Sequence, residues 1–251
     1  MQKIKNIEVI RYKNGKNEKT IDSIVSDETT HIIINNTFTY NFSTLPDSLI
    51  DFATGYLIGE GKLNSIDEIK EINVDKKTIN VKIDNYNEEK KDLVLCSNSS
   101  GGWRSKIKNI NEMKSNLKIK KEELIHNMRK LRKNASVWQQ TGGTHVAAFV
   151  NNDKNQFLVR EDVSRHVAVD KVIGTAAREK LDFSRSYIIY SGRMPSDMVI
   201  KIVRAGIPIL ASNAAPSFSG YTTAKKGNIT LIGFIRDDRF NIYTHPDRII
   251  L

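Results

Sequence analysis

The chain is poor in cysteine, proline, aromatic residues and long apolar runs. Its 251 residues include one cysteine, five prolines and 8% aromatics. The single thiol, Cys96, excludes an intrachain disulfide and any zinc site built mainly on cysteines. No apolar run approaches the ~18 residues that a membrane span needs. The N-terminal stretch MQKIKNIEVIRYKNGK has no apolar core and does not read as a secretory signal. A soluble intracellular protein is therefore expected. Hydrophobic residues, at 39%, are sparse but sufficient for a core. The length suggests one large domain or two small ones. The net charge of +10 points to anionic partners. The lysines are dispersed among acids and asparagines, however, and fit a solvated face. No aromatic RNA-binding signature or helix-turn-helix spacing accompanies them, so nucleic acid is not the expected partner.

Residues 1–42 read as β structure. Residues 6–12 alternate, and 31–35 and 37–42 flank a tight turn at Asn35-Asn36. Pro46 is expected to open a helix, with Asp47 in its first turn, Leu49, Phe52, Ala53, Tyr56 and Leu57 on its apolar stripe and Gly59 at its end. Residues 69–95 suggest two or three more strands. The stretch CSNSSGG at 96–102 is the best linker candidate. After it, 122–133 forms an amphipathic helix with Leu124, Met128 and Leu131 on one stripe. Strands at 144–150 and 156–159 precede a helix over 167–178. A βαβαβ pattern follows, with strands at 187–190, 208–211 and 229–235 and helices at 197–205 and 217–226. Such alternation argues for a mainly parallel sheet. The expected division is a β-rich N-terminal α+β domain (1–95), a cysteine-bearing linker (96–114) and an α/β domain (115–251).

Three loops are placed at the carboxyl ends of predicted strands: Ser191-Gly192-Arg193, Ser212-Asn213-Ala214-Ala215-Pro216 and Phe234-Ile235-Arg236-Asp237-Asp238-Arg239. Ligands of open α/β sheets bind at that end. Helix N-termini there favour anions, and arginines add forked donors for phosphate. The same residues also fit plain turns with a solvated rim. Thr141-Gly142-Gly143-Thr144-His145 adds a glycine pair that lets backbone approach a ligand, or simply turns into a strand. The segment from Arg160 to Lys171 is dense in charge, with Glu161, Asp162, Arg165, His166, Asp170 and Lys171 at a strand-to-helix junction. Cys96 is either an accessible thiolate in a basic setting or a core residue ending the apolar run 93–95.

The segments LIDFATGYLIGEG, TGGTHVAAF, EDVSRHVAVDKVIG, SGRMPSDMVIK, AGIPILASNAAPS and LIGFIRDDRFNIYTHPDRI closely resemble the motifs of FdhD, the formate dehydrogenase accessory sulfur-carrier family. The resemblance runs from about His31 to the C-terminus. It implies a cytoplasmic homodimeric sulfurtransferase with a cytidine-deaminase-like C-terminal domain. It implies a cysteine desulfurase as sulfur donor, carriage of a persulfide, and delivery to the molybdenum (or tungsten) bis(molybdopterin guanine dinucleotide) cofactor of formate dehydrogenase. GDP-like nucleotides would mimic that ligand. The stretch Phe234 to Arg239 matches the family's cofactor-binding motif, and Gly142, Gly143, His145, Glu161, Asp162, Arg165, His166, Asp170, Lys171, Ser191, Arg193 and Ser212 lie in the other matching loops. The zinc deaminase signature is absent: His166-Val167-Ala168 has alanine where the proton-shuttling glutamate belongs, and SGRMPSDM has no cysteine. No zinc is therefore expected. The family's C-x-x-C motif is also incomplete. Cys96 to Ser99 has its spacing with serine at the second position; alternatively, Cys96 lies just outside the motif. Ser164 stands where the family has glycine. A non-catalytic cofactor-delivery chaperone is thus the alternative to a sulfur carrier.

Overall fold

The computed structural model describes residues 2–84, 86, 93–95, 103–105, 110 and 112–251. An antiparallel hairpin comes first, β1 (Ile4–Lys13) and β2 (Lys16–Val25). Asn14 and Gly15 both have positive φ, 53° and 78°, as a two-residue hairpin turn requires. Among the described residues the strands pair only with each other, and Ile10, Tyr12 and Ile21 are exposed.

Next come β3 (Glu28–Ile34), β4 (Phe38–Thr44), α1 (Leu49–Gly59), β5 (Ile69–Asp75) and β6 (Thr78–Ile83). The four strands form a sheet in the order β4-β3-β6-β5. The Asn35-Asn36 turn is where the sequence places it, with φ of 49° and 57°. The helix begins at Leu49 rather than Pro46. Ser48 takes a left-handed φ of 50°, and Asp47 lies outside the helix, bound to Lys171 and Lys3. Nearly every side of α1 is apolar or small, which suits a helix buried all round. One side packs Phe52, Tyr56 and Leu57 against Ile32, Ile34, Phe42 and Ile79. Another crosses the second half of the molecule.

Short strands β7 (Leu93–Leu95) and β8 (Trp103–Ser105) pair antiparallel. Cys96 lies outside the described residues, as do most of the expected linker's positions. Then follow β9 (Ile119–Lys120), α2 (Lys121–Lys133), α3 (Ser136–Thr141), β10 (His145–Asn151), β11 (Gln156–Asp162), α4 (Arg165–Arg178), β12 (Ser186–Tyr190), α5 (Ser196–Ala205), β13 (Ile209–Ser212), α6 (Phe218–Lys226), β14 (Thr230–Arg236), β15 (Arg239–Thr244) and β16 (Ile249–Ile250). The main sheet has the order β11-β10-β12-β13-β14-β15.

This sheet is mixed, which corrects the mainly parallel expectation. Only β12–β13 and β13–β14 pair in parallel, while β10, β11 and β15 run against their neighbours. The βαβαβ pattern was correctly located, but short turns before and after it reverse the chain and add antiparallel strands. Alternate residues serve opposite cores. Phe149, Ile188, Tyr190 and Leu210 pack beneath α4 and α5, whereas Val150, Tyr187, Ile189 and Ile209 meet Leu124, Met128 and Leu131 of α2.

The two halves meet where α1 crosses α4. A Cβ on Gly55 would lie 1.8 Å from the Asp170 carbonyl oxygen, and one on Gly174 would lie 1.8 Å from that of Asp51. Only glycine permits this approach. A buried carboxylate at the crossing gathers partners from the second half. Asp51 binds Arg160 (3.2 Å) and Arg178 (2.5 Å), and accepts from the Thr175 hydroxyl (2.9 Å).

Candidate functional site

One end of the main sheet gathers the loops singled out from the sequence. Antiparallel pairing sets His145, at the start of β10, beside the carboxyl ends of β11 and β12. The carboxyl ends of β13 and β14 follow in the same sheet. Helices α4, α5 and α6 each begin at this end. Their first-turn N–H groups carry partial positive charge toward it.

The loops are tied to one another. Ser212 Oγ donates to the Gly192 carbonyl (2.7 Å) and accepts from the Ala214 amide (3.0 Å). Tyr190 Oη donates to the Arg193 carbonyl (2.6 Å). Burial holds the Tyr190 phenol well above its ordinary pKa, so it remains a donor. Met194 and Pro216 form an isolated parallel bridge, and the Phe234 amide donates to the Ala214 carbonyl (3.2 Å). Phe234 itself has φ of 55°, in a bulged part of β14. A non-glycine aromatic residue in that region is strained, and such strain concentrates at functional sites.

Exposed or half-buried at this end are Gly142, Gly143, His145, Arg165, Ser191, Arg193, Phe234, Arg236, Asp237, Asp238 and Arg239. His145 Nδ1 lies 3.2 Å from Ser191 Oγ, which accepts from the Val146 amide (3.1 Å). Burial, together with the Arg165 charge, pushes the His145 pKa below its ordinary value. The motif FIRDDR, expected as a loop at the end of a strand, closes the β14–β15 hairpin. Asp237 and Asp238 make its turn, Arg236 pairs with Arg239, and Ile235 is buried in the core.

Other expected site residues are engaged within the protein. Glu161 accepts from the amides of Val137 (2.9 Å) and Trp138 (2.8 Å) and from the Thr144 hydroxyl (2.8 Å). It thereby caps α3 and anchors the glycine loop. Asp162 accepts from the Leu45 and Ser164 amides and pairs with Lys171 at 2.9 Å. Burial raises the Asp162 pKa despite these partners. Lys171 also reaches Asp47 (2.6 Å) and the Leu45 carbonyl (3.1 Å). Asp170 pairs with buried Lys201 (2.5 Å), whose ammonium also faces Glu60 (3.4 Å). His166 is buried, with Nε2 3.3 Å from Asp197 Oδ2. Dense charge at 160–171 thus marks the junction between the two halves as much as the cradle. Asp197 and Tyr190 were not singled out from the sequence. Asp197 sits in the first turn of α5, a legible position for an acid, but its partner could not be read.

A cradle of this kind, with arginines and three helix starts on one sheet end, is suited to phosphate-bearing ligands. The FdhD/NarQ family model matches residues 25–250. The chain belongs to the FdhD/NarQ family. A sulfur carrier protein FdhD from Methanothermobacter thermautotrophicus is 46% identical over 230 residues, covering 91% of this chain and 92% of that protein. Another from Bacillus subtilis is 30% identical, covering 96% of each. The crystal structure of a putative formate dehydrogenase accessory protein from Desulfotalea psychrophila aligns with a TM-score of 0.83 and 26% identity, over 99% of this chain and 100% of that one. The FdhD/NarQ match begins at the last residue of β2, so it excludes nearly all of the N-terminal hairpin.

Proposed function

We propose that this chain is a sulfur carrier of the FdhD type. In this reading the cradle binds a guanine dinucleotide substrate, the molybdenum or tungsten bis(molybdopterin guanine dinucleotide) of formate dehydrogenase. The observation that carries the reading is the convergence of Arg165, Arg193, Arg236 and Arg239 with the starts of α4, α5 and α6 at one sheet end. The names of the relatives support the sulfur chemistry.

Cys96 is the carrier, because it is the only thiol. Its thiolate attacks the outer sulfur of a cysteine desulfurase persulfide. The donor's S–S bond breaks, its thiolate leaves, and a new persulfide forms on Cys96. Release of that outer sulfur as sulfide requires two electrons. With no second cysteine, an external thiol supplies them and ends as a mixed disulfide with Cys96. The protein acts in the cytoplasm as a homodimer, and its deaminase-like domain performs no deamination. Among the described residues, no helix is long and apolar enough to cross a membrane.

Intact-protein mass spectrometry after incubation with a cysteine desulfurase and cysteine tests this. Wild type should gain a reducible mass of about one sulfur atom, and Cys96→Ala should not. No gain in either protein rejects the carrier mechanism. The lone cysteine also favours a second reading, a cofactor-delivery chaperone. In that case Cys96→Ala would still bind GDP and support formate dehydrogenase activation.

A further inference from the structure

His145, half-buried in the cradle, has a ring nitrogen that meets a serine hydroxyl. Its Nδ1 faces Ser191 Oγ at 3.2 Å. That oxygen already accepts the Val146 N–H at 3.1 Å, so its own hydrogen is available to donate. Donation toward Nδ1 requires a bare Nδ1 and leaves the imidazole proton on Nε2. Arg165 on α4 opposes a second positive charge. Asp162, across the β10–β11 ladder, is committed to Lys171, and Glu161 caps α3. Arg193 follows Ser191 in the same loop. Asp197 faces His166, Asp237 and Asp238 lie in the β14–β15 turn, and among the described residues no ion pair joins a carboxylate to His145.

We propose that His145 is a ligand-binding residue whose tautomer is set by Ser191, so that a neutral ring presents its Nε2–H to a phosphoryl oxygen of a nucleoside diphosphate bound in the cradle. This rests on the cradle reading of the preceding section. It assigns the arginines to charge and His145 to a single directed donor.

Two measurements test it. Long-range ¹H–¹⁵N spectra of the histidine side chains, assigned with His145→Gln, should show a neutral Nε2–H tautomer for His145 at pH 6.5. Ser191→Ala should shift that signature toward a mixture of tautomers. A protonated ring, or an Nδ1–H tautomer, overturns the proposal whether or not nucleotide binds. Calorimetric titration with GDP and with pyrophosphate is the second measurement. His145→Ala should lose about tenfold in affinity for both, as expected for one hydrogen bond to a charged acceptor. His145→Gln, whose amide nitrogen can stand near the Nε2 position, should stay within about threefold of wild type. Equal loss in the Gln and Ala variants overturns the donor role. If wild type binds neither probe, the cradle reading falls and takes the ligand role with it. A correct tautomer in that case shows that the failure lies in the nucleotide and not in the Ser191–His145 geometry.

Discussion

Gly174→Ala sets two effects of opposite sign against each other. In a solvent-facing helix, replacing glycine by alanine stabilises by about 1 kcal/mol. In α4, the new Cβ would lie 1.8 Å from the Asp51 carbonyl oxygen and 2.8 Å from the Gly55 amide nitrogen. Both atoms belong to the backbone of α1, so no side-chain rotation relieves the overlap. Close carbon–oxygen contacts lie near 3.3–3.6 Å, so the helices must separate by roughly 1.5 Å. Overpacking of this kind costs about 1–3 kcal/mol and sometimes more. Separation would also stretch the Asp51 contacts to Arg178 and Thr175, which span the same crossing. The Thr175 hydrogen bond to the buried carboxylate contributes about 1.5–3 kcal/mol, whereas the half-exposed Arg178 adds about 1 kcal/mol or less. A net destabilisation of about 3–5 kcal/mol is expected, and packing outweighs propensity. For a chain of this size that corresponds to a Tm lower by about 10 °C. Urea unfolding and calorimetry measure it. Gly15→Ala is the control, because its φ of 78° is unfavourable for alanine but nothing lies within 4 Å of the new atom. An unchanged or higher Tm for Gly174→Ala would refute the close-crossing argument.

Glu161→Gln should weaken the anchoring of the glycine loop. An amide group offers one acceptor where Val137, Trp138 and Thr144 now use two, so a loss of about 1.5–3 kcal/mol is expected. Faster hydrogen exchange at the Val137 and Trp138 amides should accompany it, and unchanged exchange would count against the capping role. Asp47→Asn tests the junction through its pH dependence. Burial would raise the Asp47 pKa, but Lys171 and Lys3 prevail and lower it. A carboxylate depressed on folding contributes stability above its unfolded pKa of about 4, and loses it as pH falls through the folded value. The variant should therefore be less stable at pH 7, and its stability should fall less steeply below pH 4 in acid titrations of unfolding.

The alternation of strands and helices in the C-terminal half, the Asn35-Asn36 turn, the α2 stripe and the loops that meet at one sheet end were legible in the sequence. Each depends on local chemistry: periodicity, turn residues, and glycine at helix ends. The motifs quoted from the sequence added the family. The arrangement of β10, β11 and β15 was not legible, because the direction of pairing is a property of the whole sheet and not of any one strand. Nor were the roles of Glu161, Asp162, Asp170 and Lys171. Charge density singled them out, but a carboxylate that caps a helix and one that meets a ligand look alike in sequence. Tertiary structure separated them by burial. Asp162, Asp170 and Lys171 are closed off between the two halves, while His145, Arg165 and Arg193 remain open at the sheet end. Gly55 and Gly174 make the same point. In sequence they are ordinary small residues in helices, and only the crossing of α1 over α4 makes each the one residue that fits.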